Sequence, residues 1–346
     1  MAAPLKPRPA RRLLKWSLGL LLVLVVLWSG AWFAAAWYAK RTFDEQMANL
    51  RTRGVEIACA ERDVTGFPVA FRFDCDAPSA RTRQARGDLD GLVAGISLFS
   101  PNRLEIEPTG PGRVLPISGV DGADTEGAEA LEFGWADMRA TIIDPLSLGR
   151  RFDARFADLV VKGPFGSLTA SSGSLIVEPV NGNDAAFATL QRDLAVAPTW
   201  SSALPEVALP RLEADLVVHD IWRLLIERRA ALSERLRRGF TGRVERLTFG
   251  AMGDGVLVLS GPFEVDDLGR IGGTFTIGVR NAKAVAALVQ PLVGGGEAEL
   301  ALTALEPIGV QREIEGERVR ALEIVAVDGR IPIGFFSIKL PPLWVD

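Results

Sequence analysis

The uncharged run from Trp16 to Ala39 constrains this chain more than any other feature. It is built mainly of Leu, Val, Ala and Trp. Roughly 20 apolar residues, rising ~1.5 Å each, cross a hydrocarbon core of ~30 Å, so a helix over this run is long enough to span a bilayer. Lys6, Arg8, Arg11, Arg12 and Lys15 precede it with no acidic residue among them. That asymmetry holds the N-terminus in the cytoplasm and sends everything after Lys40 across the membrane. Trp16 at one end, and Trp32, Trp37 and Tyr38 at the other, read as interfacial aromatics. Ala34-Ala35-Ala36 offers the small residues of a cleaved signal peptide, the alternative reading, but signal peptides use a shorter apolar core of ~7–15 residues. The layout expected is a basic cytoplasmic tail over 1–15, a transmembrane anchor over 16–39, a membrane-proximal helix over 40–54 and a β-rich domain over 55–346.

Composition closes off several functions. With 346 residues, 48% of them hydrophobic, the chain can build a sizeable core and is too apolar to be disordered. Its net charge of −4 argues against nucleic acid, which needs a clustered basic face. The basic residues sit ahead of the anchor, so the exported part is more acidic still and has no electrostatic attraction for anionic headgroups. One histidine and two cysteines leave little for a metal site, and no cofactor is expected. No Gly-x-Ser-x-Gly elbow, phosphate loop or His-Glu-x-x-His is present. His219 lies between an apolar run and a helical stretch, where capping or packing accounts for it. Glu105/Glu107 share one strand face and Asp266/Asp267 fall in a turn; both pairs read as solvated rather than as a glycosidase couple. No catalytic residue is expected.

Cys59 and Cys75 flank the clearest local hairpin. Val55–Cys59 leads to Thr65-Gly66-Phe67-Pro68, and Val69–Cys75 returns. A turn centred on Phe67 puts the two cysteines directly opposite each other, at Cα separations of about 4.5–5.5 Å that a disulfide tolerates. An oxidising compartment favours the bond, and a loop of this size is stabilised by about 3 kcal/mol. The alternative is a pair of free cysteines in a core.

Phe43, Met47 and Leu50 give Thr42–Arg53 the spacing of a short amphipathic helix ended by Gly54. Thereafter the pattern is mostly strands between Gly, Pro and Asp turns, including 103–107, 131–143, 151–161, 167–177 and 211–218. Val256–Val265 and Arg270–Val279 form a hairpin across Asp266–Gly269, with Gly261-Pro262 marking a bulge or an edge. Helical character is expected at Asp184–Ala195, Ile221–Arg238 and Ala282–Leu292, the last followed by Gly294-Gly295-Gly296. The fold class is therefore mainly β with a few helices (α+β): an extended, mostly antiparallel, curved sheet behind the transmembrane helix. A division into two lobes near 198–210 is one arrangement of it. The tail from Ile331 to Trp344 is apolar at both parities, so Ile331, Ile333, Phe335, Phe336 and Ile338 are either buried on both faces or an apolar contact surface.

With the anchor and the Cys59…Gly66-Phe67-Pro68…Cys75 hairpin, the chain resembles the bacterial domain-of-unknown-function-2125 family. Ala85-Arg86-Gly87, Ser100-Pro101, Gly110-Pro111, the hairpin through Asp267-Leu268-Gly269-Arg270, the turn Asp328-Gly329-Arg330 and Leu340-Pro341-Pro342-Leu343 are similar to it too. The resemblance covers nearly all of the exported region and implies location and architecture without a catalytic residue. More distantly, one anchor with a long β-rich body is similar in plan to AsmA-like envelope proteins, in which a curved sheet offers an apolar groove for lipid. Two functions are expected from these readings. One is a single-pass inner-membrane protein whose periplasmic domain handles lipid or acyl chains in a β groove; the other is an assembly factor that contacts envelope proteins.

Overall fold

The computed structural model describes residues 10–52, 54–82, 85–116, 130–144, 151–164, 166–198, 207–221, 238–251, 254–293, 303, 307–314, 316–333 and 336–340. One helix, α1 (Ala10–Thr52), runs through the anchor and the membrane-proximal segment without a break. No Gly or Pro stands between Ala39 and Thr52, so the second helix expected from Thr42 continues the first. The helix ends where expected. Gly54 adopts φ +80° and donates its N–H to the Arg51 carbonyl at 3.0 Å, a left-handed cap that a side chain would strain.

Seventeen strands among the described residues join in one sheet. They are β1 (Glu56–Ala58), β2 (Glu61–Thr65), β3 (Ala70–Asp76), β4 (Ser79–Arg81), β5 (Ala85–Ser97) and β6 (Ser100–Pro116). Next come β7 (Leu131–Gly134), β8 (Asp137–Ile143), β9 (Arg151–Gly163), β10 (Gly166–Pro179), β11 (Ala185–Pro198) and β12 (Val207–Val218). Last are β13 (Phe240–Ala251), β14 (Gly255–Val265), β15 (Ile271–Arg280), β16 (Val310–Ile314) and β17 (Glu317–Ala326). Every pairing is antiparallel. Near one end β5 carries β3 and β4 along its outer side, with β2 on β3 and β1 on β4. From β6 the sheet passes to β7 and β8 side by side, then β9 through β15 in chain order, then β17 and finally β16. A separate hairpin pairs β18 (Arg330–Ile333) with β19 (Phe336–Lys339).

The expected strands are present, longer than their apolar cores. The segment 131–143 divides at Trp135, whose ring lies against Gly110 and Gly112 and whose Nε1 donates to the Pro108 carbonyl at 3.0 Å. The Gly261-Pro262 irregularity is a bulge on the facing strand, between Val244 and Leu247, and β14 is an interior strand. Helix α2 (Ala282–Val293) forms as expected, with Asn281 Oδ1 accepting the Ala284 N–H at 3.3 Å at its start. One expectation is overturned: Asp184–Ala195 is not a helix but most of β11. Its backbone is held between β10 and β12 along nearly its whole length, and this pairing overrides the helical preference of its alanines. The same pairing joins β11 to β12 on either side of residues 199–206, which lie outside the described residues. The stretch expected to be helical over 221–238 lies, except at its two ends, outside the described residues, as do Gly294–Gly296.

The sheet's two faces differ in chemistry. On one, two adjacent rows of facing residues run across twelve strands. The first passes from Phe71 through Ile96, Leu104, Ile142, Phe152, Val177, Phe187, Leu216 and Val244 to Gly261, and resumes with Phe275 and Ile324. The second passes from Phe73 through Ala94, Ile106, Ala140, Ala154, Leu175, Thr189, Ala214, Leu247, Leu259 and Ile277 to Leu322. Thr189 alone is polar, and its hydroxyl is consumed by the Ser174 carbonyl at 2.8 Å. The bulge at Val244/Leu247 keeps both residues on this face. At strand spacings of ~4.8 Å the strip is on the order of 50 Å long. Phe156 lies flat on the same face, its ring filling the space a side chain on Gly173 would need. The opposite face is mostly charged, with ion pairs such as Arg139–Glu107 at 3.8 Å, Arg151–Glu178 at 3.4 Å and Arg246–Asp215 at 2.7 Å, apart from a buried cluster of Val256, Val258 and Val319 with Ile314. Alternation of this kind fixes the register, because a slip of one residue would exchange the faces.

Helix α2 covers the far end of the strip. Ala282, Val285 and Ala286 bury against Val279, with Leu257, Ile277 and Leu322 around them. Among the described residues, no second layer packs over the half-buried side chains of β5, β6 and β8.

Candidate functional site

The strip begins at α1, a helix long and apolar enough to cross a membrane. Gly66 (φ +99°) accepts the N–H groups of Val69 and Ala70 at 3.2 and 2.9 Å, closing a turn in which Phe67-Pro68 is cis. A Cβ at Gly66 would come within 2.7 Å of the Ala70 carbonyl oxygen, so glycine is required there. The turn rests on α1. Trp28 Nε1 donates to the Pro68 carbonyl and Trp32 Nε1 to the Ala70 carbonyl, each at 3.1 Å. Trp32, only 6% exposed, stacks on Phe71 at 5.4 Å and meets Phe67 edge-on at 5.4 Å, while Phe33 stacks on Phe67 at 5.9 Å. Phe71 is the first residue of the apolar strip, so the strip and the helix share one aromatic cluster.

The Cys59–Cys75 disulfide forms, with Cα atoms 5.5 Å apart. The register differs from the one expected. Cys75 stands opposite Arg62, and Thr65 opposite Arg72, because the turn occupies Gly66–Val69 rather than centring on Phe67. Cys59 reaches its partner from the break between β1 and β2.

The other motif residues gather at the far end. Asp266 accepts the N–H of Leu268 and of Arg270 on one oxygen and the Arg270 guanidinium on the other, at 2.7–3.0 Å. Desolvation works against the Asp266 carboxylate, yet the backbone and side-chain donors of Arg270 outweigh it and hold its pKa below the ordinary value. Asp267 sits exposed in that turn, and Gly269 (φ +75°) closes it. Asp328 (φ +50°) and Gly329 (φ +71°) form a second turn against the first: Gly329 donates to the Ile271 carbonyl at 3.0 Å, and Arg270 reaches Asp328 at 3.6 Å. These two turns support each other and form no reactive group. Ile331 packs against the cluster of Phe275, Ile324 and Ala326. Phe335 and the side chains of Ile333, Phe336 and Ile338 lie outside what the structure describes.

An open cavity of about 780 Å³ adjoins the first turn, lined by His219, Asp220, Arg238, Glu264, Asp266 and Asp267 among others. His219 Nδ1 lies 3.0 Å from Asp184 Oδ2, and Asp184 Oδ1 accepts the Asp220 N–H at 3.0 Å. The Asp220 amide, then the His219 ring, hold the Asp184 carboxylate below its usual pKa. This network ties the β10–β11 connection to the end of β12. Glu105 and Glu107 lie on the charged face, where Glu107 meets Arg139 at 3.8 Å. No group of three or more His, Cys, Asp or Glu among the described residues is placed to hold a metal ion.

Residues 32–340 match the family described as uncharacterised proteins conserved in bacteria, DUF2125. The chain belongs to that family. No curated protein and no solved structure matches it. In this DUF2125 protein the shared region starts at Trp32, the residue that joins α1 to the hairpin. Sequence reasoning placed Trp32 at a membrane interface and missed its contact with Ala70 and Phe71, since nothing local in the sequence relates positions nearly 40 residues apart. A pairing between the helix's aromatics and the hairpin's Phe67 and Phe71 was the only available signal.

Proposed function

We propose that this DUF2125 protein is a non-enzymatic, single-pass protein of the bacterial inner membrane, with its N-terminus in the cytoplasm and its β domain in the periplasm, and that it shelters lipid acyl chains on the apolar strip. The observation that carries this reading is the pair of apolar rows that starts against Trp32 and crosses twelve strands. A sheet normally buries such a face beneath a second layer, and the stretch of it that is bare among the described residues, over β5, β6 and β8, calls for a ligand or a partner. Among the described residues, the one helix long and apolar enough to cross a membrane is the helix on which the strip begins. The acidic balance of the exported part favours acyl chains over headgroups as the part of a lipid that is recognised.

A photoreactive amino acid placed at Ile106 or Leu175 in the full-length protein, activated in intact bacterial cells, is expected to give phospholipid adducts. The same residue at Glu105, on the charged face, is expected to give none. Absence of lipid at both strip positions overturns the reading. The second reading, an assembly factor for other envelope proteins, draws on the edge strand β16, where Val310 is exposed beside Ile308. Protein adducts from Val310 without lipid adducts from the strip would favour it.

A further inference from the structure

The tips of two hairpins stand together at α1, the first docked on it through Trp28 and Trp32. The first tip carries Phe67 and Val69, the second Leu98 and Phe99, and all four side chains are exposed, Phe99 by 82%. The tips are joined, since Leu98 donates its N–H to the Val69 carbonyl at 2.9 Å. No charged residue occurs from Val64 to Phe71 or from Gly91 to Asn102. At this level the helix itself leaves Phe33 and Trp37 exposed, so both elements present apolar surface outward.

The helix sets the height. Lys40 is the first charge past the apolar run, and at ~1.5 Å per residue Trp32 lies ~12 Å and Trp28 ~18 Å before it along the axis. A hydrocarbon core of ~30 Å centred between Lys15 and Lys40 contains both. The indoles of Trp28 and Trp32 bind Pro68 and Ala70, which fixes the first tip at that same level.

Irregular backbone survives in hydrocarbon only where its polar groups are satisfied inside the protein. Several of the polar groups at these tips meet that condition. The amides of Val69 and Ala70 donate to Gly66, that of Leu98 to Val69, and that of Phe99 to Ser97 Oγ at 3.2 Å. The carbonyls of Pro68 and Ala70 take the two indole N–H groups, and proline brings no N–H of its own.

We infer that the β2–β3 and β5–β6 tips are immersed in the acyl region of the membrane leaflet opposite the cytoplasmic N-terminus, as a wedge that sets the start of the apolar strip, at Phe71 and Ile96, against the lipid chains. The occupant of this surface is the leaflet in which α1 already sits. The inference rests on the membrane-anchoring part of the proposed function and does not need lipid to travel along the strip.

The test measures depth on the full chain in nanodiscs of phosphatidylethanolamine and phosphatidylglycerol. Phe99→Cys, with the Cys59–Cys75 disulfide left intact, carries a nitroxide, and collision rates with oxygen and with a water-soluble nickel chelate are compared by power saturation. Leu22→Cys on the helix gives the bilayer reference and Arg113→Cys on β6 the aqueous one. The expected result is a several-fold higher oxygen-to-nickel ratio at position 99 than at 113, approaching that at 22. Val69→Cys, on the other tip, should behave alike. A nickel accessibility at 99 and 69 equal to that at 113 overturns the wedge, as does protection from both reagents, which would mean cover by protein. Lipid adducts at Ile106 with a water-exposed label at 99 would sink the wedge and leave the proposed function standing; an immersed label without adducts would do the reverse.

Discussion

The β12–β17 region and the β3–β9 region are built from the same alternation, yet they are held together differently. In the first, α2 lies on the apolar face and seals Val285 at 0% exposed, while on the opposite face Val258, also 0% exposed, is buried with Val256 and Val319. In the second, few residues are fully buried, and the face that α2 would cover is bare among the described residues. What replaces a core there is a disulfide, an aromatic cluster on α1 and long in-register pairing. Stability in the one region comes from burial inside the chain, whereas the other is stapled at one end and keeps an apolar surface that is bare among the described residues.

The sharpest way to break this comparison is to place the same charge on both halves of one face. Val285→Asp puts an unpaired carboxylate into the sealed cluster under α2 and is expected to cost about 4 kcal/mol or more. Ile106→Asp, on the half-buried stretch, is expected to cost under about 1.5 kcal/mol, because water reaches the new carboxylate. Segment-resolved hydrogen exchange on the full chain reads both. Equal loss of protection in the two variants would mean that the bare stretch is in fact a core, and the contrast between the regions would fall.

The staple gives the next effect in size. Replacing both Cys59 and Cys75 by Ser releases a loop with a sequence separation of 16. About 3 kcal/mol of stabilisation is expected to go with it. Exchange should rise in β2–β5 and stay unchanged in β12–β17. A loss spread evenly over the sheet would show that the two regions unfold as one unit and have no separate supports.

How much of this was legible in the sequence follows the same division. Charge-free length gave the helix, and period-two alternation gave strands such as Arg151–Val161 and Ser167–Val177, because one apolar and one charged face write that pattern directly. The segment Asp184–Ala195 was misread because alanine carries little facial signal and its strand is dictated by β10 and β12 on either side. The Cys59–Cys75 bond was readable while its register was not, since three residues of shift depend on where the turn at Gly66 closes. At the candidate site, Phe67 and Pro68 were visible as turn residues, but their seat on Trp28 and Trp32 is a tertiary contact between segments with no shared periodicity. The rows from Phe71 to Ile324 could be recognised only once the register of every strand was known.

The smallest effect concerns the polar end of the sheet, where acid should act before it reaches the staple. Asp184 has its pKa held below the ordinary carboxylate value by the Asp220 amide and His219. A carboxylate with a depressed folded-state pKa stabilises the fold fully above the unfolded value, near about 3.9, and that stabilisation is lost as pH falls through the folded value. Asp184→Asn keeps an oxygen for the Asp220 amide and removes the titration. The variant should therefore match the native protein's acid response in β2–β5 and show a shallower one at the β10–β12 connection, read by hydrogen exchange across pH 5 to about 3. If the two proteins lose protection at that connection in parallel as pH falls, then Asp184 contributes nothing through its charge, and the acid sensitivity of this end belongs to the Asp266–Arg270 turn alone. Either way the response should stay on the charged side of the molecule, because the helix-docked hairpin tips contain no group that titrates in this range.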